Sequence, residues 1–331
     1  MSIFRTLSIF GTSLVASGLL YSCSLKNNEK GKQKEIGELL CGEKASLNGI
    51  IEFSKQGSIG NCYMLSQLNS LSFTKWGSKV IKDAIKLDNN GGAYVTLKDT
   101  NDNDKIFHIT ADEISNIRKE QTNINDLAKK AYFEAFTNGL SEEDCDKKMQ
   151  EYLQESRSKY SSGDDDILVL ELAIEKYFKS LGYSSKDILD ASNSPEGDII
   201  KLMTGKKERQ YYEGSFNKCA IDEYFCNKKD EIVATASFNN NNLNLITNHA
   251  YSIKGIKNDN KILKMILVNP HDSSKEIEID YYDFIFNCKE MIVWEPGDKH
   301  TYSSFIDGTC MKKDRRDELE LLREKARQNK L

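Results

Sequence analysis

Proline is almost missing from this chain, with three in 331 residues. Together with only 20 glycines, that excludes collagen-like and proline-rich fibrous architectures. Histidine is scarce as well, at four residues, and none of the eight cysteines forms a CxxC pair, so a Cys/His zinc cluster is not expected. No basic excess is present. The 46 Lys and Arg residues face 51 Asp and Glu for a net charge of −5, which argues against a nucleic-acid partner. Long apolar runs are absent except at the extreme N-terminus, which excludes a polytopic membrane protein. What is present, 39% hydrophobic and 9% aromatic residues, is enough to build a packed core. The length suits two domains.

The apolar run lies in MSIFRTLSIFGTSLVASGLLYSCS. Arg5 precedes the stretch Leu7 to Leu20, and small Ser22 and Cys23 follow, the three-part layout of a secretory signal. Leu20-Tyr21-Ser22-Cys23 resembles a bacterial lipobox, although Tyr21 is uncommon there. The resemblance implies cleavage before Cys23, diacylglycerol on its thiol, and export to the cell envelope or surface as a membrane-anchored lipoprotein, since two or three acyl chains hold a protein stably. An ordinary cleaved signal or an uncleaved anchor fits the same run. In an exported protein some thiols can oxidise, and Cys219 and Cys226 are the nearest pair, but sequence does not assign that bond.

After the signal at 1–23, residues 24–45 are polar and suit a tether. Residues 46–205 read as a helical subdomain. IIEFSKQGSIG ends in a glycine-punctuated loop, and CYMLSQLNSLSF places Met64, Leu65, Leu68 and Leu71 at helical spacing. GGAYVTLKDTNDNDKIFHIT alternates like a hairpin around DTNDND. NDLAKKAYFEAFTNG and DDILVLELAIEKYFKSLGY are predicted helices ending at Gly139 and Gly182, and DIIKLMTG is a shorter one. Residues 206–298 turn to strands: EIVATASF, HAYSIKGI, KILKMILV, EIEIDYY and MIVW. The tail 299–331 is predicted to be a charged, solvated helix. The fold class expected is α+β.

Cys62 by itself is one of eight cysteines, a residue type that is more often a small buried hydrophobe. Its setting differs: it follows Gly57, Gly60 and Asn61 and opens a helix, whose unpaired N–H groups favour a thiolate. Gln56, across the loop, can donate to an oxyanion together with the Cys62 amide. A thiolate nucleophile needs a base. His108 falls in a hairpin strand and reads as a surface or packing residue, while His300 precedes the tail. His249 opens a strand after a polar loop. Asn269 ends the next strand, where antiparallel pairing would bring it beside His249 to orient the ring. Gln, Cys, His and Asn in this order is the papain-like arrangement.

QGSIGNCYMLSQLNSL resembles the active-site segment of the calpain family of cysteine proteases, NHAYSIKGI its histidine strand and LVNPHD its Asn-Pro turn. LELAIEKYF, KLMTG and YYDFIFNC are weaker echoes. The resemblance covers roughly residues 48–295, the protease core alone. It implies a papain-like core of two subdomains, a helical one carrying Cys62 and an antiparallel β one carrying His249 and Asn269, with the active cleft between them. The chain departs from the family pattern twice. Asn248 stands where glycine usually precedes the histidine, and His271-Asp272 where Trp-Gly usually follows Asn-Pro. That tryptophan shields the His–Asn hydrogen bond, so either activity is weaker here or another side chain covers the pair. His271 is also a competing candidate base, placed past the strand end.

The function expected is a cysteine endopeptidase acting on protein or peptide substrates. Deamidation, transamidation or isopeptide cleavage by the same residues is a second reading. A catalytically weak surface lipoprotein that binds a partner is a third. No cofactor is expected. Calcium closes the cleft in animal members of the family, but the acidic segments Asp99–Asp104 and Glu142–Asp146 lack EF-hand spacing and read as solvated loops.

Overall fold

A computed structural model describes residues 47–184, 198–212, 221, 224–225, 231–238, 243–259 and 262–296, all within the unit Ser46–Leu331. Cys23, the tether, Cys219, Cys226, His300 and the charged tail lie outside the described residues. The fold is α+β, with three antiparallel sheets and seven helices among the described residues.

In chain order the elements are β1 (Ser54–Lys55), α1 (Cys62–Ser72), α2 (Lys75–Ala84), β2 (Ile85–Leu87), β3 (Ala93–Lys98) and β4 (Asp104–Ile109). Then come α3 (Ala111–Thr137), α4 (Glu142–Glu155), β5 (Ser162–Gly163), α5 (Asp165–Ser180), α6 (Ile199–Thr204) and β6 (Arg209–Tyr212). The remainder is β7 (Val233–Phe238), β8 (Ala250–Asp259), β9 (Ile262–Asn269), β10 (Asp272–Asp280), α7 (Tyr281–Asn287) and β11 (Cys288–Trp294). The six-stranded sheet runs β10-β9-β8-β7-β11-β6.

Helix α1 is buried all round. Leu65, Leu68 and Leu71 have no exposed surface and join the core formed with α2, β3, α5 and α6. Its other face carries small and polar residues that let the backbone approach the large sheet. Ser70 Oγ donates to Ala234 O at 2.8 Å, and Ser252 Oγ donates to Ser66 O at 2.8 Å. Successive residues point to opposite faces of a strand, and the sheet accordingly separates two cores. Val233 and Trp294 face the helical core, whereas their chain neighbours Ala234 and Val293 join Phe238, Tyr251, Leu267 and Phe284 on the far face.

The structure extends or corrects several sequence expectations. The helix expected at NDLAKKAYFEAFTNG begins far earlier, at Ala111, because Thr110 and Glu113 form a reciprocal capping box. Glu142–Asp146 is not a loop: Ser141 caps Asp144 N, and three acidic side chains sit in the first turn of α4, where the helix dipole favours them. EIEIDYY is a strand only as far as Asp280, whose carboxylate accepts from Tyr282 N and Asp283 N and starts α7. The β3–β4 hairpin closes on Asp99, which accepts from Asn101 N and Asn103 N.

Candidate active site

The loop before α1 sets the position of Cys62. Gln56 N donates to Pro270 O at 2.9 Å, and Ser58 N donates to Ser158 O at 2.8 Å. Gly57 lies flat against the 158–160 backbone, so close that a Cβ would fall 2.4 Å from Lys159 O and 2.6 Å from the carbonyls of Ser158 and Tyr160. Any side chain there would push the loop away. The loop thus connects the helical side of the molecule to the turn that follows β9.

Cys62 is the first residue of α1 and is 8% exposed. Asn61, fully buried, does not cap the helix with its side chain; Nδ2 instead donates to Glu171 Oε1 at 2.6 Å. The other Glu171 oxygen accepts from Ser161 N at 3.0 Å and from Ser161 Oγ. Burial pushes the Glu171 carboxyl up to about 7, against the pull of the Ser161 and Asn61 hydrogen bonds. With the cap side chain withdrawn in this way, the Cys62 amide heads a helix whose first N–H groups have no intrahelical acceptor. Gln56 is 9% exposed, and its Nε2 donates one hydrogen to Ile59 O at 2.6 Å. A side-chain amide has two such hydrogens, so one donor remains.

On the opposite wall, antiparallel pairing of β8 with β9 brings the start of one beside the end of the other. His249 is 5% exposed, and its Nε2 lies 2.8 Å from Asn269 Oδ1. Because that oxygen only accepts, Nε2 carries the proton, and Nδ1 is the nitrogen left for chemistry. Asn269 Oδ1 also accepts from His271 N at 2.9 Å, which locks the amide in place. Asn248, just before His249, has φ of +53°. Glycine adopts this left-handed conformation freely and asparagine tolerates it better than most residues, which accounts for Asn248 at this position.

The residue after Pro270 does what the sequence left open. The His271 ring lies 4.4 Å from that of His249 at 47°, covering the face beside the His249–Asn269 bond. Tyr251 packs edge-on to His249 at 5.0 Å and accepts from Ile246 N with its hydroxyl, tying down the loop before His249. Burial raises the Tyr251 phenol, the Ile246 hydrogen bond opposes that, and Cys62 adds a smaller push in the same direction as burial. Burial lowers His249 from its ordinary value, and the Asn269 hydrogen bond opposes that. His271 is pushed down to about 4 by partial burial, then by His249 and Arg157, so its imidazole is neutral at physiological pH.

The structure therefore brings Cys62, Gln56, His249 and Asn269 to one region, joined by the Gln56–Pro270 bond and by the docking of α1 on β7 and β8. His108 is elsewhere, bonded to Asp88 at 2.7 Å and stacked on Tyr94. Sequence reasoning missed Glu171, Ser161 and Tyr251. Glu171 left a signal, a lone carboxylate within ILVLELAI, whereas Ser161 left none. Among the described residues, no group of three His, Cys, Asp or Glu is placed to hold a metal ion, and no helix is long and apolar enough to cross a membrane. Compared with known proteins, the chain matches no family model and has no significant match among curated proteins.

Proposed function

We propose that this chain is a cysteine endopeptidase with a papain-like, calpain-related core. The observation that carries the reading is the hydrogen bond from His249 Nε2 to Asn269 Oδ1. It leaves Nδ1 of a buried imidazole free to act as the base for Cys62, at the N-terminus of a helix whose Ser66 carbonyl is bonded by Ser252 of the same strand region. Cys62 Sγ attacks the scissile carbonyl carbon, and His249 Nδ1 takes the thiol proton. The oxyanion accepts from the Cys62 amide and from the remaining Gln56 Nε2–H. His249 then delivers its proton to the leaving amine, the C–N bond breaks, and a thioester remains on Cys62. Water, deprotonated by His249, hydrolyses the thioester and restores the thiol. Asn269 holds the ring in the productive tautomer throughout. Burial of His249 disfavours the imidazolium, so the alkaline limb of activity is drawn toward neutrality.

The test uses the full chain with casein and an iodoacetamide probe, beside Cys62→Ala. The expected result is peptide-bond cleavage and labelling at Cys62, both lost in the variant. Mass spectrometry separates chain cleavage from the one-dalton change of deamidation, and deamidation alone would replace this reading with the second one. We propose in addition that the lipobox-like segment anchors the protein to a membrane through Cys23. Detergent-phase partitioning lost in Cys23→Ala is the expected outcome.

A further inference from the structure

We propose that Arg157 forms a carboxylate subsite on the leaving-group side of the cleft, favouring substrates with an acidic side chain or a free C-terminus just after the scissile bond. This deepens the peptidase reading and rests on it. The connection between α4 and β5 that carries Arg157 is fixed on several sides. Ser158 O accepts from Ser58 N, and Gln121 Nε2 donates to Tyr160 O and Ser161 O. Ser161 is held in turn by Glu171. Arg157 is thereby presented beside the loop that precedes Cys62.

Its charge is uncommitted. Arg157 is exposed and has no hydrogen bond or ion pair among the described residues, whereas its neighbour Lys159 is engaged by Glu175 at 2.8 Å. Lys55, a further cation on this side, acts on Asp272, which Lys275 also pairs at 3.4 Å. The 56–58 loop bonds Ser158, next to Arg157, on one side and Pro270, next to His271, on the other, and Arg157 adds a small downward push on the His271 imidazole that covers His249. The leaving amine takes its proton from His249, so the chain beyond the scissile bond departs across His249 and His271 toward the guanidinium. A free guanidinium there matches a carboxylate in charge and in fork geometry.

The test digests a proteome-derived peptide library with the wild-type full chain and with Arg157→Gln and Arg157→Glu, reading the residues after each cut by mass spectrometry. Asp and Glu should be enriched about twofold to fivefold at the first or second position in wild type, the range of an exposed ion pair. The preference should vanish in Arg157→Gln, reverse toward Lys and Arg in Arg157→Glu, and fade with added salt. Matched free-acid and amidated peptides distinguish a terminal from a side-chain carboxylate. Cutting with no acidic preference, or with one unchanged in Arg157→Gln, overturns the subsite and leaves the peptidase reading standing. If wild type cuts nothing, that reading fails instead. Anisotropy of labelled alanine hexapeptides carrying one Asp or one Asn, on Cys62→Ala, then decides: Asp binding lost on adding Arg157→Gln supports the subsite, and equal binding of the two peptides overturns it.

Discussion

The two walls of the candidate site are held by different chemistry. On the cysteine wall, a helix buried on every side carries the proposed nucleophile, and a buried carboxylate, Glu171, ties the residue before it to the 158–161 backbone. On the histidine wall, among the described residues, no charged side chain bonds His249 or Asn269. A neutral amide, a backbone N–H, a tyrosine edge and a second, neutral imidazole hold His249 at the rim of a sheet. The cysteine wall is therefore expected to respond to pH through its supports, and the histidine wall through the His249 imidazole proposed as the base. The contrast teaches that a nucleophile needs a fixed position, while a base also needs its basicity preserved, and a charge packed against it would shift that basicity.

The largest effect should come from the histidine wall. Asn269→Ala leaves the ring free to turn and Nε2–H unpaired, so kcat should fall on the order of 10²-fold with little change in KM. Steady-state kinetics on casein-derived peptides check this. On the cysteine wall, Leu68→Ala should cost about 2–5 kcal/mol of stability, because the side chain has no exposed surface and leaves a cavity; urea unfolding measures it. Asn248→Val should cost about 1–2 kcal/mol through its left-handed backbone, while Asn248→Gly should be nearly neutral. Equal losses in both would show that the asparagine side chain, not the conformation, matters.

Glu171→Gln sharpens the contrast between walls. The folded carboxyl titrates at about 7 against an ordinary 4.5, so the native state holds the proton more tightly. That contribution is fully present below about pH 4.5 and is lost as pH rises through about 7. The melting temperature of wild type should therefore fall relative to Glu171→Gln between pH 5 and pH 8. A gap independent of pH would refute the assignment. The smallest effect is expected for His271→Ala. Its backbone N–H still holds Asn269, but water gains access to His249, so the His249 value should rise toward the ordinary one. The alkaline limb of kcat/KM should then move to slightly higher pH. If His271→Ala abolishes turnover while Asn269→Ala does not, the histidine assignment is wrong.

Much of this was legible along the chain. The helix opening at Cys62, the β3–β4 hairpin and the β8–β9 pairing follow from local periodicity and turn residues, because period 3.6 and period 2 are set by neighbours in sequence. The true starts of α3 and α4 were also readable, in Thr110 with Glu113 and Ser141 with Asp144, since a cap acts within three residues. Tyr281 and Tyr282, the first two residues of α7, read as the end of a strand because aromatic residues favour strands locally, and the Asp280 cap overrides them.

The sequence by itself determined the α+β character, the helix that Cys62 heads, and the strand ends at which His249 and Asn269 lie. Those depend on side-chain type and spacing over a few residues. Only the tertiary structure decided that Glu171 reaches Asn61 across 110 positions, that Gln56 bonds the turn at Pro270, and that His271 covers the ring of His249. Contacts between residues distant in sequence depend on how helices and sheet dock, and no local periodicity encodes that arrangement.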